Sequence, residues 1–142
     1  MSRIVPPDVQ IEDAGSARGR GVFAARDFHA GELVETAPVV LIETAVAQLP
    51  LDIQRMLFSW PCEAGRSVHA LALGYGSLYN GANPANLRFE RDRAAGVIRF
   101  VGARDIACGE ELTINYSAAD GTAATPADEW FAEHEIRLLR DT

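Results

Sequence analysis

The apolar residues of this chain fall into short runs, several of them alternating with polar residues, and the joints between them carry glycine or proline. That pattern predicts a mainly β fold with short helices and excludes the alternating strand and helix rhythm of a doubly wound sheet. Val9 to Asp13 reads as a strand, Ala14 to Gly21 as the loop after it, and Val22 to Arg26 as a short extended run. Asp27 to Gly31 reads as a turn. Glu32 to Ile42 is rich in branched residues but holds Pro38, which predicts an edge strand or a bulge. Leu87 to Asp92 and Val97 to Ala103, joined by Ala94 to Gly96, predict a hairpin, and Leu112, Ile114 and Tyr116 alternate in one further strand. Between them, Ser67 to Tyr79 contains Gly74 and Gly76, which predicts a break, and Gly81 to Pro84 has turn chemistry.

Two segments carry helical spacing. In Leu51 to Trp60 the apolar residues Ile53, Met56, Leu57 and Trp60 recur at helical intervals before Pro61. Near the C-terminus, Thr125 fits an N-cap, Pro126 the first helical position, and Asp128 and Glu129 the first turn, which predicts a helix to about Leu139. Ala118 to Thr125 reads as a linker, so the expected organisation is one domain over residues 1–117 with a linker and helix over 118–142 packed on it.

At 142 residues with 48% hydrophobic composition, the chain has enough apolar material for one continuous core. The net charge of −7 argues against a phosphate-binding surface and suits a basic protein partner, so nucleic acid is disfavoured as a direct ligand. All thirteen Lys+Arg residues are arginine, which is consistent with a GC-rich coding sequence. Cys62 and Cys108 form no CxxC unit, and the first residues lack a basic start followed by an apolar run; a reduced cytoplasmic setting is the expectation. The apolar stretch from Leu33 to Leu49 is interrupted by Glu35 and Glu43 and is too short to span a bilayer.

Several chemistries can be weighed from residue types alone. Gly19, Gly21 and Ala24 fit a GxGxxA dinucleotide fingerprint, but Val22 and Phe23 open no helix and no βαβ unit follows. His29, His69 and His134 are scattered and Cys62 has no partner at ligand spacing, so no metal is expected. The Gly74 to Ser77 segment does not match GxSxG.

Three segments taken together are more specific. Gly19 to Ala24 (GRGVFA), Leu78 to Asn86 (LYNGANPAN) and Gly109 to Tyr116 (GEELTINY) resemble, in order, the GxG, NHSxxPN and GEELTxDY segments of the SET domain, the fold of many protein-lysine methyltransferases. The resemblance spans roughly Val9 to Ser117 and implies a β-clip fold in which two segments cross in a knot-like arrangement near the C-terminal part. It implies S-adenosylmethionine as cofactor, with Gly19, Arg20 and Gly21 shaping its pocket, Asn80 and Gly81 contacting it, and Tyr116 as the catalytic tyrosine. Tyr79 and Tyr75 are candidates for the channel of a substrate lysine, with core packing as the alternative. Taken without the resemblance, Tyr116 also fits a buried strand end and Asn80 a turn former.

Methyl transfer from a sulfonium to an amine asks for alignment, a neutral nucleophile and exclusion of water. Glycine lets backbone approach a ligand, an Asn amide both donates and accepts, and an apolar channel disfavours the charged ammonium of lysine. The chain departs from the pattern at Gly81 and Ala82, where His and Ser are usual, and at Asn115, where Asp is usual. The main reading is therefore methyl transfer to lysines of a basic protein; the alternative is a weak or inactive SET-like module that binds cofactor or a protein partner. No zinc-binding segment follows Ser117, so the terminal helix is expected to cover the cofactor, with core docking and a homodimer interface as alternatives.

Overall fold

The computed structural model describes residues 3–15, 19–61 and 67–116, in which nine strands form two sheets. The linker and helix expected over residues 118–142, and the neighbourhood of Cys62, lie outside the described residues. The strands are β1 (Val9–Asp13), β2 (Arg20–Ala24), β3 (Leu33–Ile42), β4 (Leu57–Pro61), β5 (Ser67–Ala72), β6 (Asn80–Gly81), β7 (Leu87–Asp92), β8 (Val97–Gly102) and β9 (Glu111–Ile114). One sheet has the order β1-β2-β9-β6 and the other β4-β5-β3-β8-β7. A single hydrophobic cluster draws on both, including Val22, Leu112 and Ile114 from the first and Ala37, Phe58, Phe89 and Phe100 from the second. No helix among the described residues is long and apolar enough to cross a membrane.

The hairpin forms as its alternation predicts: β7 and β8 pair antiparallel from Leu87↔Gly102 to Asp92↔Val97. Its turn is closed by Asp92, whose Oδ1 accepts the Ala95 N–H at 2.9 Å. Strand β1 also forms over the expected residues and pairs with β2 from Val9↔Ala24 to Asp13↔Arg20. The break expected within Ser67 to Tyr79 falls after Ala72, where β5 gives way to turns.

Helical spacing misleads in Leu51 to Trp60. Only Leu51–Gln54 is helical (α1), and the chain then turns into β4. A four-residue helix has almost no stability of its own, whereas β4 gains a full ladder with β5 from Leu57↔Leu71 to Pro61↔Ser67. It also buries Phe58 at the centre of an aromatic cluster, with ring centroids 5.2 Å from Phe89, 6.1 Å from Phe100 and 5.3 Å from Tyr116. Tertiary pairing overrides the local period.

Pro38 lies on neither an edge strand nor a bulge. Strand β3 is central, pairing with β8 from Leu33 to Pro38 and with β5 from Val39 to Ile42, so Pro38 stands at the exchange of partners. The irregularity occurs earlier, as a register shift between Leu33 and Glu35, and Val34 and Glu35 are both buried in succession. Glu35 is thereby carried into the core at 4% exposure. Its Oε1 accepts the Tyr79 hydroxyl at 2.6 Å and its Oε2 the Tyr75 N–H at 2.8 Å. Burial raises the Glu35 carboxyl above its ordinary 4.5, against the opposing pull of those two hydrogen bonds.

Two stability predictions follow from these contacts. Gly102 in β8 has no room for a side chain: a Cβ would lie 2.9 Å from the His29 carbonyl oxygen and 3.1 Å from that of Arg104. Gly102→Ala is expected to lower stability by about 1–3 kcal/mol, measured by urea unfolding. Because the folded state holds the Glu35 proton more tightly than the unfolded chain, Glu35 favours folding at low pH, and that contribution is lost as pH rises from 4.5 through the raised folded value. The melting temperature of the parent relative to Glu35→Gln is therefore expected to rise as pH is lowered from 7 to about 5, followed by thermal denaturation at each pH.

Candidate active site

The three segments singled out in the sequence meet in one sheet. Strand β9, from the GEELTINY segment, pairs antiparallel with β2 through Val22↔Leu112 and Phe23↔Glu111. On its other side it pairs parallel with β6 through Asn80↔Thr113 and Gly81↔Ile114, and the Ala82 N–H donates to the Ile114 carbonyl at 2.9 Å. Leu112, Thr113, Ile114 and Asn115 are all buried, so the strand is covered on both faces.

Polar side chains lock these strands together. Asn80 Nδ2 donates to the Arg20 carbonyl at 3.1 Å and to Glu111 Oε2 at 2.8 Å, so one amide ties β6 to both β2 and β9. Gly21 makes this close approach feasible: a Cβ there would collide with Glu111 Oε2 and lie 3.1 Å from Asn80 Nδ2. Asn86 clamps the other end, with Oδ1 accepting the Thr113 N–H at 2.8 Å and Nδ2 donating to the Glu111 carbonyl at 2.7 Å. The adjacent Glu110 accepts from Arg104 and the Ala107 N–H, and more weakly from Asn86 Nδ2 at 3.4 Å, and the Arg104 hydrogen bond holds its carboxyl below the usual range.

Tyr116 follows β9 and is half-buried, its ring resting on Phe58. Its hydroxyl donates to the Tyr79 carbonyl at 3.2 Å, so the end of GEELTINY touches the residue before Asn80. Burial raises the phenol well above its ordinary 10.0, which keeps the hydroxyl protonated at neutral pH. Tyr79 is itself buried, with its ring 4.9 Å from Phe100 and its hydroxyl on Glu35; burial, then the Glu35 charge, raise its pKa above its ordinary 10.0. Tyr75 is half-buried against the core.

Of the residues expected to hold a cofactor, Arg20 and Gly21 line an open hollow of about 90 Å³ together with Ile11 and Leu78, while Asn80 and Gly81 are buried. Gly19 is exposed in the β1–β2 connection. Among the described residues, no group of three His, Cys, Asp or Glu could hold a metal ion. Two participants escaped sequence reasoning: Glu111, paired with Asn80, and Glu35. The signal for Glu35 was an acid inside the mostly apolar run LVETAPVVLI.

Comparison with known proteins agrees with this geometry. A histone-lysine N-methyltransferase of Schizosaccharomyces pombe specific for H3 lysine-37 is 26% identical over 116 residues, covering 80% of this chain and 76% of that protein. Among solved structures, a Plasmodium falciparum protein assigned as a histone methyltransferase superposes with a TM-score of 0.61 at 24% identity, covering 79% of this chain and 95% of that one. Polycomb Repressive Complex 2 of Chaetomium thermophilum gives 0.59 at 20% identity, covering 91% of this chain and 18% of the matched chain. At these identities the structural likeness establishes the fold. The family model of the SET domain matches residues 19–117, more than half of the sequence and all three converging segments, and the chain belongs to the SET domain family.

Proposed function

We propose that this SET domain transfers the methyl group of S-adenosylmethionine to lysine side chains of a basic protein. The observation that carries the reading is the hydrogen bond of the Tyr116 hydroxyl to the Tyr79 carbonyl, which brings the last residue of GEELTINY to the segment bearing Asn80. The named activity of the Schizosaccharomyces pombe relative supports lysine as acceptor, and the net charge of −7 suits a basic substrate.

The residues on the page fit the cofactor in kind. Ile11 and Leu78 offer apolar surface, Arg20 a cation suited to a carboxylate, and Gly21 backbone without a side chain beside the hollow. At about 90 Å³ the hollow is smaller than the roughly 300–1,000 Å³ of ordinary ligand pockets, so the described residues account for part of the site. Arg20, Gly21, Asn80 and the Gly81 backbone are the groups that would hold S-adenosylmethionine. When bound, that cofactor supplies a methyl group activated by the sulfonium.

The chain contributes alignment and water exclusion. With its proton directed at the Tyr79 carbonyl, the Tyr116 oxygen keeps lone pairs for an N–H of an entering amine, which orients the nitrogen lone pair. The raised phenol pKa keeps that hydroxyl neutral, so it orients the amine without itself becoming charged. The apolar surroundings of Phe58 and Tyr116 disfavour the ammonium form of lysine.

A second reading, a SET-like module that binds without turnover, draws on Gly81 and Ala82, which stand where the family has His and Ser. Incubation with S-adenosylmethionine labelled in the methyl group and a histone mixture separates the two. Label in a protein band, recovered after acid hydrolysis as methyl-lysine, supports transfer; calorimetric binding of the cofactor with no labelled band supports the second reading. Under the first reading, Tyr116→Phe is expected to lower kcat by about 10²-fold or more while the Kd for S-adenosylmethionine stays within about threefold.

A further inference from the structure

Glu35 is an acid buried in the core without an arginine or histidine partner among the described residues. Burial of a carboxylate is costly for the fold, and an apolar residue on β3 would avoid that cost. The site is nonetheless built for it. Each oxygen receives one donor, the Tyr79 hydroxyl at 2.6 Å on Oε1 and the Tyr75 N–H at 2.8 Å on Oε2. Gly74 leaves space for the carboxylate, since a Cβ at that position would lie 2.6 Å from Oε2, and its φ of +65° turns the chain there.

These contacts grip both ends of a short segment. Tyr75 is held by its backbone and Tyr79 by its side chain, and the latter is further fixed by Phe100 at 4.9 Å. Tyr79 is also the residue whose carbonyl receives the Tyr116 hydroxyl, at 3.2 Å. A hydrogen bond of that length is lost when its acceptor moves by about 1 Å, and misplacement on that scale costs up to about 10²-fold in rate.

We propose that Glu35 is a positioning residue for methyl transfer: by clamping Tyr75 and Tyr79 it sets the Tyr79 carbonyl, and through it the Tyr116 hydroxyl. The inference rests on Tyr116 orienting the amine, as argued above. Glutamine can only weaken the clamp to neutral hydrogen bonds: with its oxygen on the Tyr75 N–H, its NH2 faces the Tyr79 oxygen, which must turn from donor to acceptor. Aspartate is one methylene shorter. Tyr79→Phe removes the same link from the other side while keeping the ring against Phe100.

The test combines kinetics with a readout that needs no turnover. Glu35→Gln and Tyr79→Phe are each expected to lower kcat about tenfold, with KM for the protein substrate and Kd for S-adenosylmethionine within about twofold. The double variant is expected to be no slower than the slower single variant, because the two side chains act as one unit. In full-length protein carrying tyrosine labelled with 13C at Cζ, the Tyr116 resonance, identified by its loss in Tyr116→Phe, is expected to move in both single variants.

An unmoved Tyr116 resonance overturns the proposal whatever the activity. So does multiplication of the two kinetic effects in the double variant, or a fall in kcat accompanied by an equal loss of cofactor affinity, which marks a merely structural role. If the parent transfers no methyl group while the Tyr116 resonance still moves, the coupling from Glu35 to Tyr116 stands and the methyl-transfer reading fails.

Discussion

The arrangement depends on the double pairing of β9. A strand buried on both faces must have its backbone N–H and C=O groups satisfied by neighbours, because water cannot reach them. Here β2 supplies one side and the two-residue β6 the other, and β6 comes from a turn-rich segment with little strand propensity of its own. Because these ladders join residues distant in sequence, forming the sheet also assembles the candidate site. Fold and site are the same set of contacts.

Short ladders hold weakly, and side chains reinforce this one. The parallel β6–β9 contact has two residue pairs, and Asn80, Glu111 and Asn86 extend it through hydrogen bonds to backbone and carboxylate. Gly21 is required by that network rather than by a turn, since any side chain would collide with the Asn80–Glu111 pair. The Asn80 amide N–H groups are thus engaged within the protein, which gives this side chain a structural task alongside the cofactor contact implied by the family pattern.

A second polar layer lies deeper. The register shift at the start of β3 brings Glu35 to the same face as the core aromatics, where Tyr79 and Tyr75 converge on its two oxygens. Phe58 approaches from β4 and carries the Tyr116 ring, so the tyrosine is held by a tilted ring contact on one side and by a backbone acceptor on the other. The aromatic core and the Tyr116 hydroxyl are therefore mechanically linked, through residues contributed by β4, the segment leaving β9 and the segment entering β6.

Period and turn chemistry were enough for β1, for the β7–β8 hairpin and for the break after Ala72, because in each the local alternation and the glycine or aspartate at the joint agree with the final pairing. Motif spacing was enough to mark GRGVFA, LYNGANPAN and GEELTINY as one functional set. Local pattern could not reveal that Leu57 to Pro61 would be a strand, since its helical spacing is outweighed by a ladder with β5 and by the place of Phe58 among Phe89, Phe100 and Tyr116. Nor could it reveal the partner exchange at Pro38, the inward aim of Glu35, or the Asn80–Glu111 pair, each of which arises from contacts between segments remote along the chain. Residue identity pointed to a family, through an Asn, two glycines and a Tyr at the motif positions. Their positions came from strand pairing and core packing, whose energies exist only once distant segments have met.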